Sequence, residues 1–197
     1  MFDIFFSETW ALNPIDSTLN TFVDFPQEMN EMVGMKTDKH FELSMRQDNV
    51  RMDAEFSDFY KSLDTCLYVQ GPPGVGKTKE SALFVVSSLQ PNRVHAWVRL
   101  QKGCSSVHKV YILEKGAVNN EVNCTQVFVE SSAELVRVLL EVKCNLVVFD
   151  NCNKGNMEPV YSCRELRGSC KVIAVSSLQV KPDSSDGTER AMEVNGW

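Results

Sequence analysis

Cys66-Leu67-Tyr68-Val69-Gln70-Gly71-Pro72-Pro73-Gly74-Val75-Gly76-Lys77-Thr78 decides how the rest of this chain is read. A short apolar run, Cys66 to Gln70, ends in Gly-Pro-Pro, which predicts a buried strand meeting a turn. From Lys77 to Leu89 the residues Ala82, Leu83, Val85, Val86 and Leu89 supply the apolar side of a helix, and Pro91-Asn92 breaks it. Between strand and helix, Gly71 to Thr78 satisfies G-x-x-x-x-G-K-[ST] at every fixed position. Glycines there let the backbone curl until successive N–H groups converge on phosphate oxygens. The helix that follows adds its positive N-terminal end. Lys77 would place a point charge on the β- and γ-phosphates, and the Thr78 hydroxyl would ligate Mg²⁺.

The same α/β alternation continues downstream. Val94 to Leu100 reads as a second strand, and Lys109 to Glu114 and Gln126 to Val129 as further strands around a polar turn at Asn119-Asn120. Ser131-x-x-Glu134 is a capping box ahead of Leu135 to Val142, predicting a helix over 132–143. Asn145 to Asp150 is a continuous apolar strand ending in a carboxylate, and Val172 to Ser177 is another ending in hydroxyls. Continuous rather than alternating hydrophobicity means that both faces are covered, as in a parallel sheet between helices. The fold class is therefore α/β: a mainly parallel sheet around the phosphate loop, flanked by helices, over residues 61–197.

Residues 1–60 read as an acidic N-terminal arm or helical extension. Residues 13–50, with Pro14, Pro26 and Gly34, give no clear element. Phe56, Phe59, Tyr60 and Leu63 then fall on one face of a helix with Asp53 as its N-cap, and that aromatic stripe reads as core packing. Residues 181–190 read as a polar loop.

Asp150 is the natural second half of the phosphate site, because a carboxylate at the C-terminal end of a buried parallel strand faces the ligand crevice. Gly71, Pro72, Pro73, Gly74, Val75, Gly76, Lys77 and Thr78 would cradle ATP. Thr78 and Asp150 would hold Mg²⁺, and Lys77, Asp150 and Ser176 would act on the transferred phosphoryl group. Asn151 follows Asp150 where many such ATPases carry a glutamate base, and an amide cannot take a proton in that way. Glu158 or Glu165 could supply a carboxylate from a loop, though the spacing does not show it. Ser176 or Ser177 could sense the terminal phosphate.

Of the 197 residues 43% are hydrophobic and 23% charged, which fits a globular chain and not wholesale disorder. Residues 1–65 hold 13 acidic and 5 basic side chains, and the remainder 13 acidic and 15 basic. Nucleic acid is thus a weakly supported partner, and the acidic first third is unsuited to gripping phosphates. The seven cysteines are odd in number and form no C-x-x-C, so they read as reduced thiols in an intracellular protein. A zinc site from Cys144, Cys152, Cys163 and Cys170 with His95 and His108 is disfavoured by the spacing. No apolar run reaches the roughly 18 residues of a spanning helix, and the first residues lack the pattern of a signal peptide, so no membrane partner is expected.

The order of elements resembles the additional-strand class of P-loop NTPases, which contains the AAA+ and STAND groups. Leu67 to Thr78, Val175-Ser176-Ser177-Leu178 and Met192-Glu193-Val194-Asn195-Gly196-Trp197 resemble more narrowly the Crinkler and retrotransposon-hot-spot type NTPases, over about residues 60–197. The resemblance implies an ATPase module of an effector acting in a host cell or nucleus, shortened at its C-terminus. The leucine-phenylalanine-rich header of the Crinklers is not seen, and no nuclease motif is recognisable in residues 1–60. The resulting expectation is an Mg·ATP-binding, slow ATP hydrolase. The alternatives are a nucleotide-gated binding module for an unidentified protein partner, with little or no turnover, and a helicase fragment, since G-P-P-G-x-G-K-T is common in helicases.

Overall fold

The computed structural model describes residues 4–11, 22–25, 27–34, 41–44, 47–101, 108–116, 121–163, 166, 168–177 and 188–194. In chain order the elements are β1 (Ile4–Ala11), β2 (Phe22–Phe25), α1 (Gln27–Val33), β3 (Phe41–Ser44), α2 (Gln47–Lys61), β4 (Cys66–Gln70), α3 (Lys77–Ser87), β5 (Val94–Arg99), β6 (His108–Lys115), β7 (Glu121–Val129), α4 (Ser132–Glu141), β8 (Leu146–Cys152), α5 (Glu158–Cys163), β9 (Lys171–Ser176) and β10 (Glu189–Glu193). Eight strands form one sheet in the order β1-β7-β6-β5-β8-β9-β4-β10, and β2 and β3 form a separate antiparallel pair.

The fold is α/β with helices on both faces of this sheet. From β5 through β8, β9 and β4 to β10 every pairing is parallel, whereas β6, β7 and β1 are added antiparallel beyond β5. The sheet is thus mixed. Antiparallel neighbours need only a short turn between them, while each parallel step needs a crossover. Residues 108–129 have room for the turn alone and so form a hairpin. The turn expected at Asn119-Asn120 lies outside the described residues.

The continuous apolar runs behave as their composition requires. Every residue of β4 is buried, as are the central residues of β8 and β9. Alternate residues face opposite layers. Leu67, Val69, Trp97, Val148, Ile173 and Val175 pack with α1, α2 and α3. Tyr68, Ala96, Val98, Val147, Phe149 and Ala174 pack with α4 and α5. Ser131 caps α4 as its capping box predicts: its Oγ accepts from the Glu134 N–H, and Glu134 Oε2 accepts from the Glu130 N–H.

Three expectations need correction. Glu189 and Arg190, read as part of a polar loop, open β10, which extends the parallel sheet beside β4. Met192 is its one buried residue, so an apolar run never announced it. Asp53 does not cap α2 but lies inside it, because the helix starts six residues earlier in a polar turn. Phe56 and Phe59 are fully buried as expected, but Leu63 falls past the helix end and is 95% exposed.

The stripe residue Tyr60 links three elements. The buried His95 ring faces the Val85 carbonyl with Nδ1 at 2.7 Å and the Tyr60 hydroxyl with Nε2 at 3.2 Å. A carbonyl can only accept, so Nδ1 carries the proton, and the Tyr60 O–H donates to the bare Nε2. Burial pushes the His95 pKa down to about 4, against a smaller opposing effect of the Val85 carbonyl. Its unfolded value is about 6.5. The stability tied to neutral His95 is therefore present above pH 6.5 and is lost as pH falls toward 4, on the order of 3 kcal/mol over that window. Urea denaturation at a series of pH values should show wild type losing stability relative to His95→Gln between pH 6.5 and 4. Parallel profiles would show that His95 does not contribute.

Candidate functional site

Parallel pairing puts the C-terminal ends of β5, β8, β9, β4 and β10 on one edge of the sheet, where open α/β sheets form their ligand crevices. A cleft of about 690 Å³ lies there, lined by the glycine-rich motif on one side and the ends of β5, β8 and β9 on the other. Pro73, Gly74, Gly76, Lys77 and Thr78 line it, as do Asp150, Asn151, Ser176 and Ser177. Gly74 and Gly76 have φ of 86° and 88°. That left-handed conformation is disfavoured for residues carrying a Cβ, and at Gly76 it forms the N-cap of α3. Gly71 is required by close approach instead: a Cβ on it would lie 2.2 Å from the Val194 carbonyl oxygen. Val75 does not line the cleft but packs on the core beneath α3.

Lys77 is buried, and its ammonium donates to the carbonyls of Gly71 at 2.8 Å and Pro72 at 2.7 Å. Burial lowers its pKa, and the Asp150 charge opposes that shift. The Thr78 hydroxyl donates to Asp150 Oδ1 at 2.8 Å, joining residues 72 apart in sequence. Burial raises the Asp150 pKa. The Thr78 hydrogen bond, Arg99, the Asn151 N–H and Lys77 pull it back down.

Asp150 and Asn151 sit where the register of β8 against β9 shifts, between Phe149 and Cys152. Such a bulge re-aims side chains. Asn151 adopts φ 64°, its Nδ2 donates to the Leu100 carbonyl at 2.9 Å, and its own carbonyl accepts from Asn156 Nδ2 at 3.1 Å. The amide thus ties β8 to the end of β5. Glu158 opens α5, where its carboxylate accepts from the Ser132 hydroxyl, and it does not line the cleft. Glu165 lies outside the described residues. Asp150 is the only carboxylate among the described residues lining the cleft. The buried Ser176 hydroxyl donates to the Cys152 carbonyl at 2.8 Å, and Ser177 is exposed at the rim.

The sequence reading missed Arg99, Lys79 and Val33, which also line the cleft. For Arg99 the sequence offers only a basic residue at the end of the apolar run from Val94, and its place beside Asp150 emerges only from the pairing of β5 with β8.

Among the described residues no group of three or more His, Cys, Asp or Glu could hold a metal ion. The touching Thr78 hydroxyl and Asp150 carboxylate are nevertheless hard oxygen donors. They suit Mg²⁺, which takes one or two protein carboxylates and completes its shell with phosphates and water. Among the described residues six cysteines are buried and outside any disulfide: Cys66, Cys124, Cys144, Cys152, Cys163 and Cys170. No helix among the described residues is long and apolar enough to cross a membrane. Comparison of the chain with protein-family models, curated proteins and solved structures returned no match.

Asn151→Glu should destabilise the protein rather than repair a missing base. Glutamate is strained at this positive φ, and the Leu100 carbonyl loses its donor, together costing about 1–3 kcal/mol. Chemical denaturation checks this, and an unchanged midpoint would show that the β5–β8 tie is dispensable.

Proposed function

We propose that the chain is an Mg·ATP-binding P-loop NTPase of the additional-strand class that turns over slowly. The observation that carries this reading is the 2.8 Å hydrogen bond from Thr78 to Asp150, beside the buried ammonium of Lys77. It joins the last hydroxyl of the glycine-rich motif to the strand-end carboxylate. The strand order supports the same class, since β9 intervenes between the motif strand β4 and the Asp150 strand β8. The left-handed glycines and the N-terminus of α3 offer backbone N–H groups to the phosphates. Lys77 supplies positive charge to the β- and γ-phosphates, and Thr78 and Asp150 hold the metal. Mg²⁺, when bound, neutralises phosphate charge.

Slow turnover is the part favoured by the surroundings of Asp150. Asn151 is an amide engaged with Leu100, and Glu158 is engaged with Ser132 away from the cleft. No second carboxylate among the described lining residues is available to orient an attacking water. The same observation favours the alternative of a nucleotide-gated binding module. A further part of the proposal is membership of a Crinkler-like effector. It rests on short sequence stretches, of which Leu178 and residues 195–197 lie outside the described residues.

Isothermal titration should show Mg·ATP binding to wild type and a loss of about 10- to 100-fold in Lys77→Ala, the range of a charged hydrogen-bonding group removed. Equal affinities would refute the site. Phosphate release at saturating Mg·ATP should be on the order of 10⁻² per second or slower, as for NTPases working without a full catalytic set. No release alongside intact binding would favour the binding module.

A further inference from the structure

Arg99 closes β5, and its Cα pairs with that of Asp150 across the parallel β5–β8 ladder. Paired residues on adjacent strands project to the same face. The guanidinium and the carboxylate therefore leave the sheet together, on the face that α3 covers. This edge is tied at two points: the Leu100 N–H donates to the Asp150 carbonyl at 3.1 Å, and Asn151 Nδ2 donates to the Leu100 carbonyl. Arg99 lines the cleft with Lys77, Thr78 and Asp150.

A second element aims the guanidinium. Gly34 follows the last residue of α1, at φ 76°, with its N–H bonded to the Glu31 carbonyl. A Cβ on Gly34 would overlap the Arg99 guanidinium. The guanidinium therefore lies beside the end of α1, and a side chain at position 34 would displace it. Among the described residues the guanidinium makes no hydrogen bond or salt bridge. A planar fork of five N–H donors is thus held in the cleft by packing, and phosphate is the anion whose geometry it matches.

The strand order says which phosphate. The glycine-rich loop springs from β4, and β9, β8 and β5 follow in turn. A phosphate chain entering at the loop and extending toward Asp150 brings its far end to Arg99. We propose that Arg99 contacts the terminal phosphate of the bound nucleoside triphosphate from within the same chain, aimed by Gly34, and so distinguishes triphosphate from diphosphate. The proposal rests on the nucleotide-site reading above and adds a second cation to it, on the far side of Asp150 from the loop.

The test is isothermal titration with a non-hydrolysable Mg·ATP analogue and with Mg·ADP, and thermal unfolding confirms that each variant is folded. Arg99→Ala should weaken the triphosphate by about 10- to 100-fold, the range of a charged hydrogen-bonding group removed, and change Mg·ADP by less than about threefold. Arg99→Lys should recover part of the loss, since it keeps the charge without the fork. Gly34→Ala should reproduce the selective loss with Arg99 still present. Should its left-handed backbone prevent folding, the two Arg99 variants carry the test. Arg99→Ala weakening both nucleotides equally, or neither, overturns the role of Arg99 while leaving the nucleotide site intact. A wild type that binds neither nucleotide overturns both.

Discussion

Parallel pairing of β5, β8, β9, β4 and β10 is the constraint from which the rest follows. Strands that run the same way must end on the same edge, so the residues that terminate their apolar runs are brought together however far apart they lie in sequence. Arg99, Asp150, Ser176 and the glycine-rich loop after Gln70 are those residues. The two apolar layers hold the strands in register. The polar residues at their ends then meet without further design, and the Thr78–Asp150 hydrogen bond is a consequence of that register.

Within the cleft the charges balance narrowly. Lys77 and Asp150 are both buried, and burial opposes the charged form of each. Each is supported by the other and by local hydrogen bonds: carbonyls of the loop for Lys77, the Thr78 hydroxyl for Asp150. Arg99 adds positive charge on the far side of Asp150. The balance suits a ligand that carries several negative charges together with a divalent cation, because such a ligand satisfies both cations while its metal satisfies the carboxylate. The bulge at Asp150-Asn151 explains the residue at 151: asparagine tolerates the left-handed backbone and supplies the donor that ties β8 to Leu100.

The central strands were legible because burial on both faces leaves uninterrupted apolar runs, as in Cys66 to Gln70 and Leu146 to Phe149. The helices α3 and α4 were legible from their breaker and capping box. The edges were not. β10 is the last strand of the sheet among the described residues and buries only Met192, so Glu189-Arg190-Ala191-Met192-Glu193 carries no strand signature. The start of α2 was hidden because its first turn is polar, and Leu63 completed the heptad-like spacing although the helix had already ended. In the site, the motif and Asp150 were readable from spacing. Arg99 was not, because its relevance comes from pairing with Asp150 and from Gly34, 65 positions earlier in the chain. The acidic first third also gave no hint that β1 would pair with β7, or that α1 would bring Val33 to the cleft.

The central claim is that a nucleoside triphosphate sits on the loop between β4 and α3, with its metal toward Asp150. Hydrogen exchange of the backbone amides, followed by mass spectrometry with and without saturating Mg·ATP, locates the ligand directly. The account predicts slowed exchange confined mainly to peptides spanning Gly71 to Thr78 and Phe149 to Cys152, since these peptides contain Gly74, Gly76, Lys77, Thr78, Asp150 and Asn151, which line the cleft. Unchanged exchange in both segments, or protection elsewhere in the chain with none at the loop, would contradict it.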